Sequence, residues 1–304
     1  MSVLERNELL VTPGCDVGLA NFDSGSTGTF RSRKHATAQL EADIARLAQL
    51  QDVFFASEKF ALLIVFQGMD AAGKDGAIKH VMTGINPQGV DVSSFKAPSA
   101  AELGHDYLWR TTKVLPPRGR IGIFNRSYYE ELVVARVHSS VLEKEDLPAG
   151  SIQSPDLWHE RFEDVNAFER HMSRNGTVIL KFFLHLSNDE QRKRLLKRID
   201  TPEKNWKLST SDVHERSFWH NYQRAYEEML EHTSTTVAPW YIVPADHKWF
   251  TRVAIANIIV TKLEALGLTY PTVDDEQRAH LAALGEQLAH HERHDHRALE
   301  TAKA

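Results

Sequence analysis

At 304 residues, 42% of them apolar, the chain is long enough to bury one large core, or one core carrying a lid. Its net charge of -5 argues against a generally basic nucleic-acid binder, so a polyanionic partner would need a local basic groove. One cysteine, Cys15, excludes an internal disulfide framework, and no run of about 18 or more apolar residues offers a membrane span.

Met1 to Leu10 carries several charges and no apolar stretch ending in small residues, so it does not read as a secretory signal; with Cys15 this fits a cytoplasmic protein. The first 30 residues are rich in Gly, Ser and Thr, and residues 1–33 read as an extended arm. From Lys34 to Lys59, Leu40, Ile44, Leu47, Leu50 and Val53 follow helical spacing. Ala61 to Phe66 is a continuous apolar run of the kind found in strands buried on both faces. A Gly-rich turn from Gly68 to Gly76 follows, then a helix to about Met82. Further strands are expected at Val90–Phe95, Arg120–Phe124, Val178–Leu186 and Trp240–Val243. Helical patterns separate them at Leu103–Arg110, Tyr128–Val137, Leu157–Arg174 and Asp212–His232. Strands alternating with helices imply an α/β fold with a doubly wound, mostly parallel sheet, spanning residues 34–270. There is no internal repeat. The tail, 271–304, is charged and His-rich, with a helical pattern around Leu281, Leu284 and Leu288.

The strongest motif is Gly68-Met-Asp-Ala-Ala-Gly73-Lys74-Asp75, a G-x-x-x-x-G-K loop between a buried strand and a helix. In such a loop the backbone N–H groups of Gly68, Ala71, Ala72 and Gly73 turn inward around phosphate oxygens. The following helix presents its positive end, and Lys74 adds a mobile charge. The Ser or Thr that usually follows the lysine and ligates Mg²⁺ is replaced by Asp75. A second acid, Asp70, sits inside the loop, and we expect it to help hold Mg²⁺, with Mn²⁺ as a substitute. Asp75 has two readings, phosphate-site chemistry or a helix cap.

Ligands of parallel sheets bind beyond the carboxyl ends of the strands, which brings Asn125, Arg126, Glu130 and Glu131 near Lys74. Arg126 suits charge stabilisation of a transferring phosphoryl group. Glu130 and Glu131 suit a metal, or else form a solvated first helical turn. Tyr129 joins Asn125 and Glu130 as a contact for the acceptor.

Two stretches are basic. Lys96 to Arg136 includes Lys96, Arg118 and Arg126. Arg192 to Lys207 is more biased, with Arg194, Arg198, Lys204 and Lys207 among its cations. The bland reading is a solvated helix face. The alternative is a lid over residues 188–215, which fits phosphoryl transfer because water must be kept from the reacting group. His290, His291, His294 and His296 read as part of a charged tail, with adventitious metal binding as the alternative.

Taken together, these segments resemble the polyphosphate kinase 2 family. The resemblance rests on Gln67 to Gly76, Asn86 to Gly89, Ser94 to Pro98, His105 to Arg110, Pro117 to Glu130, Lys204 to Lys207 and Ala238 to Asp246. It runs from about Phe30 to Leu266. It implies a P-loop kinase fold with a helical lid, Mg²⁺, and direct transfer between inorganic polyphosphate and adenine or guanine nucleotides without a phosphoenzyme. The family's loop aspartate, loop lysine and post-strand arginine fall on Asp70, Lys74 and Arg126. Many ADP- or GDP-preferring members carry Asp-Arg-Ser-Trp-Tyr-Asn after the second strand. Here Asn125-Arg-Ser-Tyr-Tyr-Glu130 is similar to class III members that accept AMP and ADP. With Asn125 in place of an acid, Glu130 or Glu131 would substitute as metal ligand. The resemblance also implies a homo-oligomer, dimer or tetramer, while the net charge and the lack of a long apolar run lead us to expect no nucleic-acid or membrane partner. An ATP-dependent kinase of a small metabolite, and a nucleotide-binding regulatory protein, are the rival readings.

Overall fold

In β1 (Ala61–Gln67), successive side chains point to opposite faces of the sheet, and both sets are buried. Leu62, Ile64 and Phe66 enter one apolar layer, Leu63 and Val65 the other. This explains the unbroken apolar run, and the same holds for most of β4 (Thr177–His185). With β2 (Val90–Ser94), β3 (Ile121–Asn125) and β5 (Trp240–Pro244), these strands form a sheet of order β2-β3-β1-β4-β5. Every pairing within it is parallel. The computed structural model describes residues 8–301, and the side chains of 289–301, with the four tail histidines, lie outside the described residues.

The first face is covered by α1 (Arg33–Ser57), α2 (Lys74–Val81) and α11 (Lys248–Ala265). Ser32 caps α1, its hydroxyl accepting from the His35 N–H at 3.3 Å. The second face is covered by α5 (Glu130–Val137), α7 (Leu157–Arg174) and α10 (Trp219–Thr233). Short helices fill the connections: α3 (Ala100–Leu103), α4 (Trp109–Thr112), α6 (Ser139–Glu143) and α9 (Thr210–Glu215). The longer α8 (Asn188–Ile199) carries the basic run into a 3-10 segment, Pro202–Lys207. A second unit begins at Thr269 and holds α12 (Asp275–Thr301), on which Leu281, Leu284 and Leu288 are exposed.

Several expected elements differ. The helix expected over Leu103–Arg110 is two single turns, because Asp106 turns the chain by accepting the Leu108 N–H at 2.9 Å. The helix expected over Asp212–His232 is broken at Arg216–Phe218 into α9 and α10. The described part of the N-terminal segment, residues 8–32, is largely irregular but packed. Leu10 pairs antiparallel with Tyr241, and Val11, Val17, Leu19 and Phe30 are buried, so the exposed edge of β5 is covered. Among the described residues no helix is long and apolar enough to cross a membrane.

Candidate active site

The parallel register sets Phe66 beside Asn125, and Ser94 beside Asn125 on the other side. The carboxyl ends of β1, β3 and β2 therefore deliver Gly68–Lys74, Asn125–Arg126 and Phe95–Lys96 to one edge. A cavity of about 680 Å³ opens there, walled by these segments, by α8 and the Pro202–Lys207 turn, and by the start of α11.

Gly68 takes φ +143, and a Cβ there would lie 2.8 Å from the Leu184 carbonyl oxygen, so only glycine fits against β4. The loop closes at Gly73 (φ +113), which precedes α2 without a side-chain cap; the first N–H groups of α2 lie at the cavity wall. Lys74 is buried, and its Nζ donates to the Gly68 carbonyl at 2.5 Å and the Met69 carbonyl at 3.4 Å. Burial, then the Arg126 charge, push its pKa down to about 8, against the pull of Asp70, Glu130 and Asp75.

Arg126 holds a left-handed backbone, φ +64, an unfavourable conformation for a non-glycine residue. Its N–H donates to the Phe66 carbonyl at 3.0 Å, and its guanidinium spans Asp70 (2.7 Å) and Glu130 (3.4 Å). Glu130 above all, against the cost of burial and with help from Asp70, raises its pKa further. Asp75 does not cap α2. Its carboxylate accepts from Asn125 Nδ2 at 2.8 Å and from Lys207 Nζ at 3.3 Å. Burial would raise its pKa, but these two bonds and the charges of Lys207 and Lys74 leave it lowered.

Of the remaining expected residues, Ala71, Ala72, Lys96, Arg198, Lys204 and Lys207 line the cavity. Four do not act as expected. Tyr129 is fully buried behind the sheet, where its hydroxyl donates to Glu169 Oε1 at 2.8 Å, so it does not face an acceptor. Glu131 points away from Glu130, because one residue turns a helix by about 100°. It is buried against Arg110 at 2.8 Å, and burial pushes its pKa up to about 7. It is not beside the loop. Arg118 lies at the opposite, amino-terminal edge of the sheet, near the Asn175 carbonyl. Arg194 reaches the loop, but all its donors are committed: Nε to Glu190, Nη1 to the Ala71 and Ala72 carbonyls, Nη2 to those of Ala245 and Asp246. It braces the loop and has no N–H left for phosphate.

Other site features escaped the sequence reading. Lys248 and Arg252 line the cavity from α11. A basic pair four residues apart at the start of an apolar run was the available signal. Behind the site, Lys181 in β4 is fully buried and donates to Glu169 at 2.6 Å, the Tyr129 hydroxyl at 2.7 Å and the Thr233 carbonyl at 2.7 Å. The Tyr128 and Tyr129 hydroxyls both donate to Glu169 at 2.8 Å, fixing the chain just after Arg126. A lysine within an apolar strand gave no periodic signal.

A phosphate loop between a buried parallel strand and a helix, with Lys74 and Arg126 converging on it and Arg194 bracing it, defines a P-loop kinase fold built for phosphoryl transfer. Residues 31–268 match the sequence model of the family described as Polyphosphate kinase 2. The chain is 47% identical over 285 residues to an ADP-polyphosphate phosphotransferase of Rhodopseudomonas palustris, covering 94% of this chain and 99% of that one. It is 42% identical over 262 residues to an AMP/ADP-polyphosphate phosphotransferase of Meiothermus ruber, covering 86% and 94%. The crystal structure of a polyphosphate kinase 2 from Arthrobacter aurescens superposes with a TM-score of 0.82 at 39% identity, covering 92% of this chain and 95% of that one. This chain belongs to the polyphosphate kinase 2 family.

Proposed function

We propose that this protein transfers phosphoryl groups from inorganic polyphosphate to AMP and ADP, and runs in reverse from ATP. The observation that carries the reading is the charge of the cavity. Among the described residues, ten lysine and arginine side chains line it against three aspartates, in a chain whose net charge is -5. Such a surplus matches a polyanion better than a small acceptor. The names of the Rhodopseudomonas and Meiothermus relatives support the acceptor range.

In this reading the acceptor's terminal phosphate oxygen attacks the terminal phosphorus of the donor in line, and the bond to the bridging oxygen breaks. The donor leaves one phosphate shorter. Lys74 and Arg126 carry the charge that spreads over the transferring group, and a loose transition state needs such positioning more than covalent help.

Asp70 and Glu130 meet on one guanidinium, so two carboxylates stand together beside the loop. That suits Mg²⁺, which takes one or two carboxylates and completes its shell with substrate phosphates and water. When bound, the ion would neutralise oxygens of the transferring group. Residues 188–215 serve as the lid, with Lys204 and Lys207 turned to the donor. ATP formation from ADP with polyphosphate as sole donor tests the reading. A protein that instead needs ATP to phosphorylate a small metabolite would make none.

A further inference from the structure

One wall of the cavity has no role in the mechanism above. Lys248 and Arg252 stand one turn apart on the same side of α11. A Cβ on Gly76 would lie 4.0 Å from Arg252 Nη2, which places the guanidinium against α2, two residues past Lys74. Among the described residues neither side chain has an ion pair or hydrogen bond. Lys248 is exposed at the cavity wall, and Arg252 is partly buried.

Their surroundings are mostly positive. Partial burial comes first in lowering the pKa of Lys248, followed by the charges of Arg194, Lys197 and Arg252. The acid that opposes them, Glu190, is already paired with Arg194 at 2.9 Å. Arg252 is lowered by partial burial and by Arg33 at the start of α1. Cations set together without an acid weaken the folded state through mutual repulsion, and an anionic ligand removes that penalty. Arg126, Asn125 and Glu130 occupy the β3 side of Lys74, whereas these cations extend from α2 on the α11 side, towards α1.

We propose that Lys248 and Arg252 form a distal subsite for the trailing phosphates of the donor chain, and that this subsite sets the preference for long donors. The proposal rests on the polyphosphate reading given above. The donor's reacting end lies at Lys74 and Arg126, and the chain behind it runs over α2 to α11. A short donor does not reach that far, so it gains little from these cations.

The test compares the wild type with the Lys248→Met/Arg252→Gln double variant, at saturating ADP, using tetraphosphate and long-chain polyphosphate as donors. The ratio of kcat/KM for long over short donor should fall by roughly 10-fold, through KM for the long chain, since each phosphate left without a cation weakens polyanion binding several-fold. The salt dependence of long-donor kcat/KM should flatten by about 0.7 in log–log slope for each phosphate that is no longer neutralised. Arg252→Lys should keep most of the ratio, because the charge remains. The double variant should melt at the same or a higher temperature, since it removes repulsion. An unchanged ratio, or a lower melting temperature, would overturn the subsite. If the wild type makes ATP and the ratio does not move, the subsite alone falls; if the wild type makes no ATP from either donor, the polyphosphate reading falls with it.

Discussion

Lys207 Nζ reaches Asp75 Oδ2 at 3.3 Å, joining the Pro202–Lys207 turn to the first turn of the P-loop helix. Asp75 occupies the position where other P-loops carry a metal-binding hydroxyl. The pair is open to solvent, with side chains 38% and 69% exposed, so it is a weak clasp that an arriving phosphate can displace.

Asp75→Asn keeps an oxygen for the Asn125 amide and loses the charge that holds Lys207. With Lys207 free, KM for polyphosphate should fall several-fold, while stability shifts by no more than about 1 kcal/mol. Steady-state kinetics against chemical denaturation separates the two. A raised KM would show that Asp75 helps hold substrate and does not compete with it.

Lys74 must be protonated to neutralise the transferring group, and its pKa in the free protein is lowered to about 8. kcat/KM reports the free enzyme, so it should fall as pH rises through about 8; the corresponding fall in kcat should lie at higher pH, because bound phosphates restore the proton. Lys74→Ala should lose at least ~100-fold in transfer and stay folded. The stability of the wild type follows the same group. Below about pH 8 both folded and unfolded chains carry the proton, and the cost of the buried charge is fully present. Between about 8 and the ordinary value of 10.5 the folded chain sheds it first, so that cost lifts. Denaturation midpoints compared with Lys74→Met across this range check the sign.

Lys181→Met would strand Glu169 without its cation inside the core, and should cost about 3–5 kcal/mol. Adding Glu169→Gln should recover much of it, because the charge left behind is then removed. Chemical denaturation of the two single variants and the double variant measures the coupling. Additive losses would mean that the pair is not a unit.

Gly68→Ala should disable the loop, since the new methyl would meet the Leu184 carbonyl at 2.8 Å in a backbone conformation closed to L side chains. Transfer should fall by ~100-fold or more, the scale of losing one set of preorganised donors. Full activity in the variant would show that the loop can relax away from β4.

How much of this was legible depended on whether a residue's environment leaves a trace in its neighbours. β1 and the loop were readable, because burial on both faces writes an unbroken apolar run and the G-x-x-x-x-G-K spacing follows it. α11 was not. Ten of its eighteen residues are buried, on more than one side, so no helical period shows, and its short apolar runs resemble strand as much as helix. The Glu130 and Glu131 pair looked equivalent in sequence, and only the helix rotation sends one to Arg126 and the other to Arg110. The basic run does place Arg194 at the loop, but it cannot show that every donor is taken, because backbone carbonyls leave no mark on composition.

The acceptor reading rests on Asn125, which binds Asp75 and brings no charge of its own, and on Glu130 beside Arg126. The most direct measurement is a nucleotide time course starting from AMP, with long-chain polyphosphate and Mg²⁺, and with no ATP or adenylate kinase added. We expect AMP to fall, ADP to rise and then decline, and ATP to appear last, with all three changes absent in Lys74→Ala. Conversion of ADP with AMP untouched would refute the dual acceptor, and no conversion of either nucleotide would contradict the account as a whole.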